Sequence, residues 1–303
     1  MKILIAGLVE NIQVVRLKEE AEKRGHLVEG CYAADLMLKF NDNFFEPTLA
    51  DGRKLSDYDL IYFVVGNRRW EWYTAGLYLA EKFGTIIVNQ KTIDPNYNYY
   101  LTPAIDYLRQ AQANLPYPKS TVVFNLKGAK MAMEDFSYPV IVKTSAGRQG
   151  RGVFLCNNFD EVKSALESVH ETGVQAVVIR EFVPNDGDLR IFTVGYKAIG
   201  AMKRMPTREG EFRSNISQGG RGEKFDIENY PEIRKIAENA AEITRTEIAG
   251  VDIIINKNTG KPYILEVNPS PQFEGLEKFT GVNAALEIVK YFEELYNRKY
   301  GKS

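Results

Sequence analysis

Near the C-terminus the chain runs GVDIIINKNTGKPYILEVNPSPQFEGLEKFTG, and this segment restricts the fold more than any other. Two β-rich stretches, 251–255 and 262–267, flank a turn-prone 256–261 containing Gly260, so they read as an antiparallel hairpin. If the pairing centres on Thr259, Asp252 falls opposite Glu266, and period-two alternation puts Asn268 on the same face as Glu266. Two carboxylates and an amide oxygen then converge on one point, a candidate site for a hard cation such as magnesium, which usually shares itself with nucleotide phosphates. An acidic, solvated strand edge is the competing reading. A carboxylate in so apolar a strand needs a partner, and the cation is expected to be the only one.

With 303 residues the chain has room for two or three compact domains, and 44% hydrophobic with 26% charged residues is ordinary for a soluble globular protein. The 39 basic residues balance 40 acidic ones, so no whole-chain field attracts nucleic acid or an anionic membrane. Cys31 and Cys156 are the only cysteines and lie in no CxxC arrangement; buried thiols are expected rather than a disulfide or zinc site. The chain opens on Lys2-Ile3-Leu4-Ile5-Ala6-Gly7, too short for a signal peptide, and holds no run of about 18 apolar residues. A cytoplasmic protein is expected.

The first ninety residues alternate apolar strands at 3–6, 60–65 and 85–88 with amphipathic helical patterns at 12–24 and 70–83, an open α/β unit. Gly25 and Gly84 each follow a helical pattern where a left-handed cap belongs. No GxGxxG follows the first strand, so dinucleotide binding by this unit is a weak reading. A Pro-, Asn- and Tyr-rich stretch at 94–103 reads as a linker or domain edge. Strands at 122–125, 139–143, 152–156 and 176–180 with a helix at 159–172 make a second, smaller α+β unit. A strand pair, a polar loop at 205–222, a helix at 231–244, the acidic hairpin and a final helix at 282–298 complete a third. The expected units are therefore 1–92, 93–180 and 181–303.

Within YPVIVKTSAGRQGRGV, Lys143 ends an apolar strand and is followed by Gly147, Gly150 and Gly152. Backbone N–H groups of such a loop can approach phosphate oxygens. Lys143 would add a point charge, and Arg148 and Arg151 would raise the local positive field. A plain turn explains the glycines equally well, and without GxxxxGK[ST] this is no Walker loop. In AVVIREFVPNDGDLRIF a strand passes through Glu181, Phe182 and Val183 towards Asp188 and Arg190, and the irregular link could read an adenine edge through its backbone. If Gly195 and Tyr196 form a two-residue turn, Asp188 lies opposite Lys203 and Arg190 opposite Ala201, all on one basic face. Cross-strand ion pairs on an exposed sheet account for the same residues.

The 18-residue stretch MPTREGEFRSNISQGGRG is longer than most connections in compact domains, which points to function, with disorder as the alternative. Arg213 and Asn215 are its best candidates for holding an anionic substrate. His26 and His170 sit near helix ends and read as surface or capping groups. Arg68, Arg69, Trp70, Trp72 and Tyr73 could stack on nucleotides, yet their helical spacing favours packing at a domain contact.

Taken together, Lys143 with its glycine loop, the Arg180-Glu181-Phe182-Val183 link, DLR at 188–190, FRSN at 212–215 with GG at 219–220, and GVD…EVNPSP…EGLEKFTG resemble the ATP-grasp carboxylate–amine ligases, specifically the RimK-type glutamate ligases. The match runs in order along nearly the whole chain. It implies an ATP-grasp fold, α/β and α+β in class, with an N-terminal open α/β domain followed by two lobes that clasp ATP. By the resemblance, Lys143 binds the α/β-phosphates and the loop of Gly147, Arg148, Gly150, Arg151 and Gly152 closes over the triphosphate. Glu181, Phe182, Val183 and Asp188 would also lie on the nucleotide, with Glu181 and the Val183 backbone reading adenine. Asp252, Glu266 and Asn268 would hold one or two magnesium (or manganese) ions. Arg190, Lys203, Arg213 and Asn215 would hold the carboxylate substrate and the charge that builds up in transfer.

The implied reaction has two stages: a carboxylate attacks the γ-phosphate to give an acyl phosphate, and an amine displaces phosphate to give an amide. That chemistry asks for charge neutralisation and alignment rather than a Ser, Cys or His nucleophile. One departure matters. The family usually carries a second phosphate-binding lysine at the start of the central domain, but here 96–104 reads NYNYYLTPA. Lys91 is the nearest candidate, and Arg148 or Arg151 is the expected substitute. Arg151 also stands where the family usually has an uncharged residue, and Gln272 where it has glycine. The expected partners are an amino acid, glutamate first, and the carboxylate of a peptide, a protein C-terminus or acidic tail, or a cofactor precursor. A carrier-protein ligase of lysine or arginine synthesis, a ligase of pterin or deazaflavin coenzymes, and a nucleotide-binding regulatory protein without turnover are the alternatives. A homo-oligomer is expected, with no membrane or nucleic-acid partner.

Overall fold

The computed structural model describes the chain apart from residues 8, 10, 42–43, 65–69, 95, 98–103, 145–151, 172, 174–175, 206–220 and 302–303, and the side chains of 70 and 221. Its first sheet is parallel, in the order β2-β1-β5-β6, from β1 (Lys2–Gly7), β2 (Leu27–Tyr32), β5 (Leu60–Phe63) and β6 (Ile86–Val88). A parallel sheet needs cover on both faces, and alternation along β1 divides the cover cleanly. Ile3 and Ile5 face α1 (Ile12–Lys23) and the C-terminal α8 (Ala284–Tyr300). Leu4 and Ala6 face α2 (Trp70–Phe83) and the hairpin of β3 (Leu36–Asn41) and β4 (Phe44–Leu49). The stripe of α8, Ala285, Ile288, Val289, Phe292 and Leu295, recurs at three and four residues. It carries the end of the chain back onto the first sheet.

Helix ends obey local chemistry: Asn11 caps α1 through Gln13 N, and Gly25 and Gly84 take φ of +78° and +72° as their positions after helices require. Trp72 is buried, donates its indole N–H to Ala33 O at 2.8 Å and meets Phe63 edge-on, so it packs the fold. Arg68, Arg69 and the Trp70 side chain lie outside the described residues. Cys31 and Cys156 are buried free thiols, and burial pushes them up to about 12 and about 11. His26 bonds Glu293 at 2.8 Å near the surface.

The second sheet, ordered β7-β10-β8-β9, is antiparallel and contains β7 (Ser120–Val123), β8 (Val140–Thr144), β9 (Val153–Cys156) and β10 (Val177–Glu181). One face, with Val140, Val142, Val177 and Ile179, packs on α4 (Leu126–Ala132) and α5 (Phe159–Glu171). Ile141, Lys143, Val178 and Arg180 alternate onto the other face. The third sheet, ordered β13-β12-β11-β14-β15, comprises β11 (Asp188–Val194), β12 (Lys197–Met205), β13 (Arg221–Phe225), β14 (Ile248–Ile255) and β15 (Pro262–Asn268). Leu189, Ile191, Val251, Ile253 and Ile264 bury one of its faces under α6 (Pro231–Ile243). The opposite face meets the open face of the second sheet, where Arg180 Nη1 donates to Leu265 O at 3.3 Å.

Asn89 joins the first sheet to the third. Its Oδ1 accepts from Ile248 N at 2.6 Å and its Nδ2 donates to Pro269 O at 2.6 Å, fixing the start of β14 and the exit of β15 together. Next to it the buried Glu247 accepts from Gln90 N and the Tyr291 hydroxyl at 2.6 and 2.8 Å. Burial raises that carboxyl, and the two donors offset only part of the rise. No helix among the described residues is long and apolar enough to cross a membrane.

Candidate active site

The site is built on two hairpins whose registers are set by bulges. In the first, Gly195 and Tyr196 form the expected turn with φ of +56° and +66°, as a primed two-residue turn requires. Val194 then pairs Lys197 and Thr193 pairs Ala198, but a bulge between Phe192 and Thr193 leaves Ile199 unopposed, so that Phe192 meets Gly200. Beyond it the register is moved by one residue, which exchanges the faces of everything further along β12. The expected pairing of Asp188 with Lys203 and Arg190 with Ala201 is therefore corrected. Asp188 lies opposite Arg204, Arg190 opposite Met202, and Lys203 opposite Leu189 on the face covered by α6, with Glu223 beside it on β13. Arg204, not Lys203, shares the site with Arg190.

In the second hairpin Asp252 stands opposite Glu266, as expected, and Gly250 stands opposite Asn268. A bulge between Asp252 and Ile253 takes Leu265 out of the ladder, so Ile264 still faces the core although Glu266 faces the site. The turn itself closes with Asn256 N to Lys261 O at 2.9 Å and Gly260 at φ +72°.

Asp252 already has two charged protein partners. Arg190 grips it bidentately, Nε to Oδ1 at 2.8 Å and Nη2 to Oδ2 at 2.7 Å, and Arg204 Nη2 reaches Oδ2 at 2.9 Å. Arg204 Nε also donates to Asp188 Oδ1 at 2.5 Å. Burial alone would raise the Asp252 carboxyl, but the two guanidiniums more than offset it and hold it below the usual carboxylate range. Burial lowers Arg204 by less than Asp252 and Asp188 raise it, so it stays firmly charged. The expectation that a cation is the only partner of Asp252 is thus corrected by two arginines.

Gly250 makes room for this grip. A Cβ there would sit 2.8 Å from Pro271 Cβ and 3.4 Å from Arg190 Nε. Gly250→Ala is expected to destabilise the chain by about 1–3 kcal/mol and to lower turnover by displacing Arg190. An unfolding midpoint and an ADP-release assay on the same preparation check this; unchanged values in both would mean that the Pro271 segment simply yields.

Asn268 Nδ2 donates to Glu266 Oε1 at 2.9 Å and approaches Asp252 Oδ2 at 3.4 Å, so the three side chains do converge. Turned over, the same amide offers its oxygen. Among the described residues no group of three or more His, Cys, Asp or Glu side chains could hold a metal. Two carboxylates and one amide suit a magnesium ion that takes the rest of its ligands from phosphates and water, which is how that ion is usually held.

On the facing second sheet, burial lowers Lys143 below the ordinary lysine value, and Arg180 adds to the fall while Tyr107 and Glu266 oppose it. Gly152 closes the glycine loop at φ +72°, where a Cβ would lie 2.8 Å from Thr144 Cγ2. Gly147, Arg148, Gly150, Arg151, Arg213 and Asn215 lie outside the described residues. Glu181 ends β10 with its carboxylate accepting from Lys119 N at 2.7 Å; Phe182 is half-buried, and buried Val183 offers its carbonyl to Asn185. Lys91 is buried with Asp106 at 3.7 Å, a carboxyl raised by burial and only partly restored by Lys91. Sequence reasoning missed Arg204, Arg180 and Tyr107. Arg204 adjoins the residue chosen, and only the bulge decides between them.

Residues 105–292, more than half of the chain, match the RimK-like ATP-grasp domain. The chain belongs to that family. A relative from Aliivibrio fischeri (strain MJ11), named probable alpha-L-glutamate ligase, is 34% identical over 309 residues, covering 95% of this chain and 93% of its own. A relative of the same name from Picosynechococcus sp. is 31% identical, covering 92% and 90%. Among solved structures, the ATP-grasp ligase PsnB complexed with a phosphomimetic variant of its minimal precursor, Mg and ADP superposes with a TM-score of 0.73. At 17% identity over 97% of this chain and 98% of PsnB, that likeness establishes the ATP-grasp fold. As a member of the RimK-like family, the chain is an ATP-dependent, ADP-forming carbon–nitrogen ligase.

Proposed function

We propose that this ligase uses ATP and Mg²⁺ to join glutamate to the carboxylate of a peptide or protein tail through an acyl phosphate. The observation that carries the reading is the face on which Arg190 and Arg204 converge on Asp252, beside Glu266 and Asn268, with Lys143 on the second sheet close enough to feel the charge of Glu266. Lys143 is assigned to the phosphates, and Arg190, with Arg213 and Asn215, to the acceptor carboxylate. Arg204 positions Asp252 and Asp188, since its donors reach both. Magnesium held by Asp252, Glu266 and Asn268 would neutralise phosphate oxygens during transfer. Glutamate is favoured because curated relatives at 31–34% identity bear the glutamate-ligase name, and a peptide acceptor accords with the precursor in the PsnB complex.

Mixing the protein with ATP, Mg²⁺, an amino-acid panel and an acidic-peptide panel tests the reading by ADP release and product mass. Glutamate-dependent ADP release with stepwise glutamyl additions is expected, and hydroxylamine should divert the acceptor to a hydroxamate. AMP as the nucleotide product, or no dependence on an amino acid, overturns it. Nucleotide binding without turnover on any acceptor would favour a regulatory protein.

A further inference from the structure

A buried guanidinium needs anionic or polar partners for all its donors, because an unpaired buried charge is expensive. Arg180 is only 4% exposed, and its described hydrogen-bond and ring partners are neutral. Nε donates to Ser120 Oγ at 2.9 Å, Nη1 to Leu265 O at 3.3 Å, and the Tyr107 ring lies 5.3 Å from its centre. Its Nη2 is buried with no acceptor among the described residues.

The position of Arg180 is as telling as its partners. Val178 pairs Lys143 and Arg180 pairs Ile141, so Arg180 and Lys143 are diagonal neighbours on one face, roughly 7–8 Å apart at the backbone. That face turns from the α4 and α5 core towards β15. Two cations so placed repel one another, and in Lys143 the repulsion adds to burial in favouring loss of the proton. An anion bridging them would relieve both. The chain meanwhile lacks a lysine in 96–104, and Lys91 is engaged with Asp106.

We propose that Arg180 is the second cation of the phosphate site, its unpaired Nη2 donating to a phosphate oxygen of the nucleotide that Lys143 also holds. The proposal rests on the nucleotide reading of this site but not on the identity of the amino acid or acceptor. Arg180 is fixed on a strand at both Nε and Nη1, so the charge is in place before the ligand arrives, which avoids the ordering cost a loop residue incurs.

Calorimetric titration of adenosine, AMP and ADP into the whole chain and its variants tests this. Arg180→Gln is expected to weaken ADP at least tenfold, about 1.4 kcal/mol, while adenosine binds as to the parent. Arg180→Lys keeps the charge and should hold ADP within about threefold, about 0.7 kcal/mol. Equal losses for adenosine and ADP would place Arg180 on the base or in the scaffold, and undiminished ADP binding to Arg180→Gln would make it a strut to Leu265; either overturns the proposal. If the glutamine variant does not fold, the lysine variant decides alone, and a tenfold loss of ADP in it is fatal. A parent protein that binds no adenine nucleotide defeats the nucleotide reading and this inference with it. A parent that binds ADP but forms no amide defeats only the ligase assignment.

Discussion

Asp252→Asn is expected to destabilise the chain by roughly 3–5 kcal/mol, the usual consequence of removing one partner from a buried charge cluster. The variant leaves Arg190 and Arg204, 15% and 5% exposed, pointing at a neutral amide. The reaction should fail as well, but the loss of fold is what distinguishes this carboxylate. Denaturant unfolding measures it, and a midpoint equal to the parent's would mean that the arginines find other partners. The same cluster predicts an acid limb. Because Asp252 is depressed in the folded state, its contribution is complete above the unfolded carboxylate value of about 3.9 and is lost as pH falls below it towards the folded value. Parent stability should therefore drop below about pH 4, and the part of that drop owed to Asp252 should be absent from Asp252→Asn.

In the acidic hairpin a pairing centred on Thr259 puts Asp252 against Glu266, and the bulge that takes Leu265 out of the ladder makes that register hold, because the pairs nearest the turn, Ile255 with Pro262 and Ile253 with Ile264, would otherwise carry Asp252 to Leu265. The basic hairpin was not legible to the same degree. Its turn was read correctly at Gly195 and Tyr196, but the bulge at Phe192 and Thr193 lies between that turn and the site, so one unopposed residue replaced Lys203 with Arg204. No residue in TVGYKAIGAM marks the slip; it satisfies the packing of Phe192 against Phe273 and of Leu189 and Ala201 under α6. Tertiary packing hid α8 in the same way. Its stripe announces a helix, yet nothing in the stripe says that it covers Ile3 and Ile5 at the other end of the chain. Arg180 was read as part of a link, and its significance emerged only when Lys143 was found on the same face.

Glu266→Gln should separate chemistry from fold, because Glu266 has none of the structural ties of Asp252. It is exposed, and its described hydrogen bond is the 2.9 Å contact from Asn268 Nδ2, which a glutamine carbonyl also accepts. Stability should stay within about 0.5 kcal/mol of the parent, as for other surface changes. Turnover should fall by about a thousandfold, about 4 kcal/mol, since the substitution removes one of the two carboxylates proposed to hold the cation. A second consequence runs through Lys143. Glu266 helps keep that lysine protonated, so without it Lys143 should lose its proton at a lower pH, and ADP binding should weaken earlier on the alkaline side. Comparing the variant with the parent by unfolding midpoint, ADP release at rising Mg²⁺ and ADP affinity against pH resolves the roles. Near-parent turnover would mean that Glu266 holds no metal, whereas a lost rate with an unmoved alkaline limb would keep the metal role and remove the coupling to Lys143. On the proposed reading Asp252 serves both the scaffold and the cation and Glu266 the cation alone, so the same change of carboxylate to amide should stop turnover at both positions but cost stability only at Asp252.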